Sequence, residues 1–229
     1  MTVLCTFSYL DGIDEQGSPR LERNLRWLDY YGPGSGINWD RRWLFDNCSH
    51  RSKYWELGLS IYNQWGLLIE DSGRDKNTGV LRYSTHLPRG EGENQYPFCW
   101  RALWNFRWLI EAGAEKIVFI DSDAFILSRR MAKYINDLST GWTTFWIPRH
   151  DFPSAEVQII CRDTFPLFLD YTKGPWQEKV GQCMEKVLPF TLVNKSFVCD
   201  RYGESREAQR PEMDAYFQGL VGIPLRAQR

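Results

Sequence analysis

The stretch KIVFIDSDAFIL, Lys116 to Leu127, constrains this chain more than any other. Ile117, Val118, Phe119 and Ile120 form a continuous apolar run, the pattern of a strand buried on both faces in a parallel sheet. The run ends on Asp121 and Asp123, with Ser122 between them. In open α/β sheets, ligands gather at the carboxyl ends of the strands. Period-two alternation would send both carboxylates to one side. Left half-buried and unpaired, such a pair costs on the order of several kcal/mol. A divalent cation removes that cost. Mg2+ and Mn2+ bind a few carboxylates and complete their shells with water and phosphate oxygens. The alternative is a pair of turn residues that cap the next helix.

The rest of the chain alternates helix and strand periods, which implies βαβ units and a mostly parallel sheet. TVLCTFSYL reads as a first buried strand. A helix follows, with Ser18 as its cap, Pro19 in its first position and Leu21, Leu25 and Leu28 along one face. RRWLFDNCS reads as a strand ending at Asp46, SKYWELGLSIYNQ as a helix and GLLIEDSG as a strand. The polar segment from about Arg74 to Gln95 reads as a long loop with a short strand in it, of the kind that serves as a lid. FCWRALWNFRWLIEAG is the clearest helix, with Trp100, Leu103, Trp104 and Trp108 on one face. Beyond the aspartates come a helix (SRRMAKYINDLS) and two strands (TTFWIP, AEVQIICR). Three further helices are expected, at DTFPLFLDYTKG, QEKVGQCMEKVL and RPEMDAYFQGL.

Composition excludes several classes. A net charge of −1 over 229 residues leaves no global field for nucleic acid or acidic membranes. No apolar run reaches the length of a membrane span, and Met1 leads into a strand rather than a signal peptide. The six cysteines stand singly, which argues against a zinc site and fits reduced thiols in the cytoplasm. The eleven tryptophans are too many to be sorted from sequence. Most belong in a core, and a few could be stacking platforms for sugars.

WRALWNFRWLIEAGAEKIVFIDSDAFIL resembles the helix, glycine turn, strand and D-x-D of the GT-A glycosyltransferases. RWLFDNCS is similar to their second strand, AEVQIICRDTFPLFLDY to a later strand and helix on the acceptor side, and PEMDAYFQGL to an acidic segment near the reaction centre. The resemblance covers nearly the whole chain. It implies an α/β fold: a Rossmann-like, mostly parallel central sheet flanked by helices, in a single domain. Residues 1–127 would bind the donor and residues 128–229 would shape the acceptor side. It implies a metal-dependent transferase that moves a hexose or pentose from a UDP- or GDP-sugar to a glycan hydroxyl, with Mn2+ or Mg2+ as cofactor. Asp123 would ligate the metal, with Asp121 on a metal-bound water or the ribose and Ser122 between them. Phe7, Ser8 and Tyr9 end the first strand, where the base would bind, although Phe7 also reads as core. Asp46 would meet the base or ribose, or serve only as a turn residue. Arg101 would reach a phosphate, or lie on a solvated helix face.

An inverting enzyme also needs a base beside the acceptor hydroxyl. Asp214 and Asp151 come first, followed by Glu156 and Glu212. The first-turn position of Glu212 and Asp214 also suits a helix dipole. Bypass polymerases and haloacid-dehalogenase phosphatases place a similar motif at the start of their chains, not the middle. A sugar-nucleotidyltransferase, or a catalytically silent sugar-nucleotide-binding protein on this fold, is the alternative.

Overall fold

The computed structural model describes residues 1–13, 19–63, 68–70, 75–201 and 212–217. One sheet has nine strands. In chain order they are β1 (Thr2–Ser8), β2 (Arg41–Asp46), β3 (Leu59–Asn63), β4 (Leu68–Glu70), β5 (Asp75–Arg82), β6 (Lys116–Ile120), β8 (Trp142–Ile147), β9 (Phe152–Cys161) and β10 (Leu192–Asn194). A small second sheet joins β7 (Phe125–Ile126), β11 (Cys199–Arg201) and β12 (Ala215–Phe217). The large sheet runs β10-β8-β9-β6-β1-β2-β5-β3-β4. Strands β6, β1, β2, β5 and β3 run parallel to one another, while β4 is antiparallel to β3 and β9 runs antiparallel between β6 and β8. Both β6 and β8 therefore point their carboxyl ends at the same edge.

Alternation along the strands builds a core on each face. Leu4, Leu44, Val118 and Val157 face a core with Trp27 of α1 (Arg20–Tyr30) and Met131 of α5 (Arg129–Asp137). Val3, Cys5, Phe45 and Phe119 face the other core, with α3 (Pro97–Trp104), α4 (Phe106–Glu111) and α6 (Phe165–Tyr171). The central β6 supplies both, which is why its sequence is continuously apolar. Among the described residues no helix is long and apolar enough to cross a membrane.

The structure corrects several expectations. Helix α2 (Arg51–Leu57) stops at Gly58, whose φ of +66° is left-handed, and Leu59–Asn63 is a strand rather than more helix. The strand inside the polar segment is long, Asp75–Arg82. Gly79 is required there: a Cβ would stand 2.6 Å from the Trp43 ring and 2.9 Å from Tyr62. The tryptophan-rich helix breaks at Asn105, whose amide donates to the Arg101 carbonyl and the Tyr83 hydroxyl. QEKVGQCMEKVL gives only a single 3-10 turn (Trp176–Lys179) and the short α7 (Met184–Val187). The expected last helix is not one in its described part. Ala215–Phe217 is β12, whose pairing with β7 overrides the local acidic-cap signal. Helix α1 begins at Arg20 with Pro19 as its cap, and Ser18 lies outside the described residues, as do Arg74 and Pro211.

Candidate active site

Strand β6 ends at Ile120, and the chain then turns instead of continuing extended. The Ala124 N–H donates to the Asp121 carbonyl at 2.9 Å. The two carboxylates are thus gathered by a turn, not by strand alternation. The turn is anchored from β9, where the Glu156 carbonyl accepts from the Asp121 N–H at 2.8 Å. Strand β9 bulges at that point. Thr144 pairs with Gln158 and Trp146 with Pro153, so β9 carries extra residues between them. The Thr144 hydroxyl donates to the carbonyls of Ser154 and Val157 and closes the bulge. Bulges of this kind re-aim side chains beside active sites.

The turn is electrostatically loaded. Burial, and then the charge of Asp123, push the Asp121 carboxyl up to about 7, against the pull of Arg23. Among the described residues, hydrogen bonds to the Asp121 carboxylate come from Ser122 alone, through its N–H at 2.6 Å and its hydroxyl at 3.4 Å. Arg23 of α1 pairs with Asp123 at 3.7 Å. Cys99 of α3 lies within reach of the same charges. Burial, followed by Asp121, Glu185 and Asp123, raises its thiol. Glu185, on the four-residue α7, accepts a hydrogen bond from the Cys183 thiol at 3.2 Å. Sequence reading missed both Arg23 and Glu185. Arg23 is one of several arginines on an ordinary amphipathic helix, and nothing local marks Glu185.

Around the first two strands, Asp46 is fully buried. It accepts from the Ser49 N–H (2.7 Å), the Ser49 hydroxyl (2.7 Å) and the Tyr54 hydroxyl (2.5 Å). Burial raises its pKa, and the bonds from Tyr54 and Ser49 oppose the rise. Asp46 is therefore the tie of a turn, not an open acceptor for a base. Arg101 is also internal. It donates to the Asn47 side chain (2.9 Å) and the Thr85 carbonyl (2.9 Å), and its guanidinium lies 3.9 Å from the Tyr83 ring centre. It does not occupy a solvated helix face. Asn47 in turn exchanges two bonds with the Leu87 backbone, at 2.9 and 2.7 Å. The loop after β5 is thus pinned at Thr85 and Leu87, which confines any lid motion to residues beyond them.

Phe7 packs against Phe119 at 4.3 Å and belongs to the core. Ser8 is buried, and its hydroxyl has no hydrogen-bond partner among the described residues. Tyr9 is half-buried at the sheet edge, between the His86 ring (4.5 Å) and the Arg20 guanidinium (5.0 Å).

The four acceptor-side candidates separate sharply. Asp214 is buried and engaged at both oxygens, by Ser128, Arg130 and the Val198 N–H. It fastens the small sheet to the start of α5 and cannot approach a substrate hydroxyl without breaking those bonds. Glu212 is an exposed turn residue, with no helix at its position. Asp151 is exposed at the tip of the β8–β9 hairpin with φ +56°, on the same edge as Asp121. Glu156 lies in the bulge beside the turn, buried, and accepts from the Ser154 hydroxyl at 2.7 Å.

No family model matches this sequence, and no curated protein matches it. Among solved structures, an active-site mutant of LgtC matches at TM-score 0.54 and 10% identity, over 96% of this chain and 88% of that one. A glycosyltransferase involved in glycosylation of the PBCV-1 major capsid matches at TM-score 0.45 and 10% identity, over 97% and 94%. A mannosyltransferase from Pyrobaculum calidifontis, solved with GDP-Man and Mn2+, matches at 0.44 and 14%, over 76% and 47%. The likeness to LgtC is one of fold, and the chain has a GT-A-type α/β fold with a large central sheet flanked by helices.

Proposed function

We propose that this protein is a metal-dependent glycosyltransferase that moves a sugar from a UDP- or GDP-sugar to a glycan hydroxyl. One observation carries the reading. Two carboxylates are crowded into a turn at the carboxyl edge of the central strand of a GT-A-type sheet, and burial and mutual repulsion raise one of them to about 7. Such a pair gains from a cation. Its donors are hard oxygens, which suit Mn2+ or Mg2+. Among the described residues no three His, Cys, Asp or Glu side chains are grouped to hold an ion. Asp121 and Asp123 would hold it, with water and substrate phosphates supplying the remaining oxygens. When bound, the ion would screen the charge that builds on the diphosphate leaving group.

The other roles follow from position. Arg23 places a fixed positive charge beside Asp123, where a departing diphosphate would lie. Tyr9 marks the place for the base. Residues 1–127 form the donor side, and the β8–β9 hairpin brings residues of the second half to the same edge. Of the acceptor-side carboxylates, Asp151 is free of the internal ties that hold Asp214, and Glu156 lines the floor of the turn. The free thiols fit a reducing compartment such as the cytoplasm.

A thermal-shift titration tests this reading, because a ligand of the native state alone raises the melting temperature. UDP or GDP is expected to raise it with Mn2+ and not without, and Asp123→Ala should erase the effect. If neither nucleotide raises the melting temperature with Mn2+ or Mg2+, the proposal fails.

A further inference from the structure

The tryptophans that sequence could not sort are sorted by the fold. Trp27 and Trp39 belong to or pack against the first core. Trp43, Trp100, Trp104, Trp108, Trp142 and Trp176 belong to or pack against the second. Among the tryptophans whose side chains are described, Trp146 alone joins neither core. It is half-buried, near the carboxyl end of β8. Its strand neighbours Phe145 and Ile147 both point into the first core, so alternation aims its indole at the opposite face. That is the face on which Cys99 and α3 lie.

Register places this indole relative to the candidate active site. Trp146 pairs with Pro153, at the start of the bulge whose Glu156 carbonyl holds the Asp121 turn. Two strand spacings separate β8 from β6, about 10 Å across the sheet. A short oligosaccharide covers that span. The ammonium of Lys195 stands 4.1 Å from the centre of the Trp146 ring. Lys195 is exposed, and the strand before it, β10, pairs in parallel with β8 and delivers it to the same edge. An indole outside both cores, with an exposed ammonium against its ring, matches one kind of ligand. A sugar ring stacks its C–H face on the indole, and a carboxylate on that sugar takes the ammonium.

The geometry points to Trp146 and Lys195 as the acceptor subsite, with specificity for a glycan that carries an acidic sugar. This rests on the transferase reading for its purpose but not for its test. The Arg149 guanidinium, 3.7 Å from Asp200, faces the same edge.

The test follows the Trp146 indole N–H by nuclear magnetic resonance, assigned through bonds in the wild-type chain. Methyl β-D-glucuronide is the acidic probe and methyl β-D-glucoside the neutral one. The acidic sugar is expected to shift this resonance at about tenfold lower concentration than the neutral one. Lys195→Gln should remove the difference, and Trp146→Phe should retain weakened binding. No shift with either sugar, or equal shifts in the wild type, overturns the proposal. Binding of the acidic sugar by a protein that no nucleotide diphosphate stabilises would leave the subsite standing and remove the transferase reading. The reverse result would do the opposite.

Discussion

Asp46 and Asp121 each lie at the carboxyl end of a parallel strand, with only β1 between those strands, and the fold treats them in opposite ways. Asp46 is closed. Three donors from Ser49 and Tyr54 surround it, so its burial is compensated locally. Asp121 is left with the donors of its own neighbour Ser122 and with a second carboxylate beside it. Asp214 repeats the closed arrangement at the small sheet. A buried carboxylate with its bonds complete holds a structure together, whereas one set against another carboxylate gains from added positive charge. The lesson is that strand-end position alone does not identify a functional acid. The donors around it separate a structural acid from a candidate functional one.

The comparison can be broken most directly at the open pair. Asp123→Ala should lower metal-dependent sugar transfer, or donor hydrolysis in the absence of acceptor, by about 100-fold or more, because the ion loses a direct ligand. Its melting temperature without ligand should stay level or rise, since a repulsion is relieved. Near-normal turnover in this variant would place the open pair outside the chemistry.

The closed sites should behave in reverse. Asp214→Ala leaves Arg130 and the Val198 N–H without their acceptor and should cost about 3 kcal/mol in urea unfolding. Nucleotide binding by the folded fraction should persist. Loss of binding without loss of stability would move Asp214 into the site. Asp46→Asn should cost about 2 kcal/mol, because an amide cannot accept all three donors. A variant as stable as the wild type would mean that the three short bonds contribute nothing net.

The open pair can also be read through a pH slope. The Asp121 carboxyl is raised from 3.8 to about 7 in the native state. A raised carboxyl holds its proton more tightly when folded. Its contribution is therefore complete below the unfolded value and is lost as pH rises through about 7. Without metal, wild-type stability should fall between roughly pH 4 and pH 7 relative to Asp121→Asn, and excess Mn2+ should restore it at the upper end. Parallel curves for the two proteins across that window would show that Asp121 does not titrate there.

Much of this was legible in the residues, and the illegible part has a physical cause. The apolar run of β6, the strand ending at Asp46 and the Ser128-capped α5 follow from local patterns that tertiary contacts reinforce. Leu59–Asn63 misled because a helix-like spacing continues across Gly58, and only pairing with β5 makes it a strand. Ala215–Phe217 misled in the same way, through its pairing with β7 and β11.

By itself, the sequence determined an α/β sheet with a central apolar strand that ends in an acidic pair, because hydrophobic periodicity is a local property of the chain. It also named most of the residues at the carboxyl edge. Only the tertiary structure decided which of them are open. Hydrogen-bond donors to Asp46 come from a turn and a helix, those to Asp214 from distant segments, and the neighbours of Asp121 include Arg23 and Asp123. Ser49 and Asp123 are near neighbours in the chain, but Arg23 and the donors to Asp214 are distant from the carboxylates they meet, and they arrive only when the sheet and its flanking helices close.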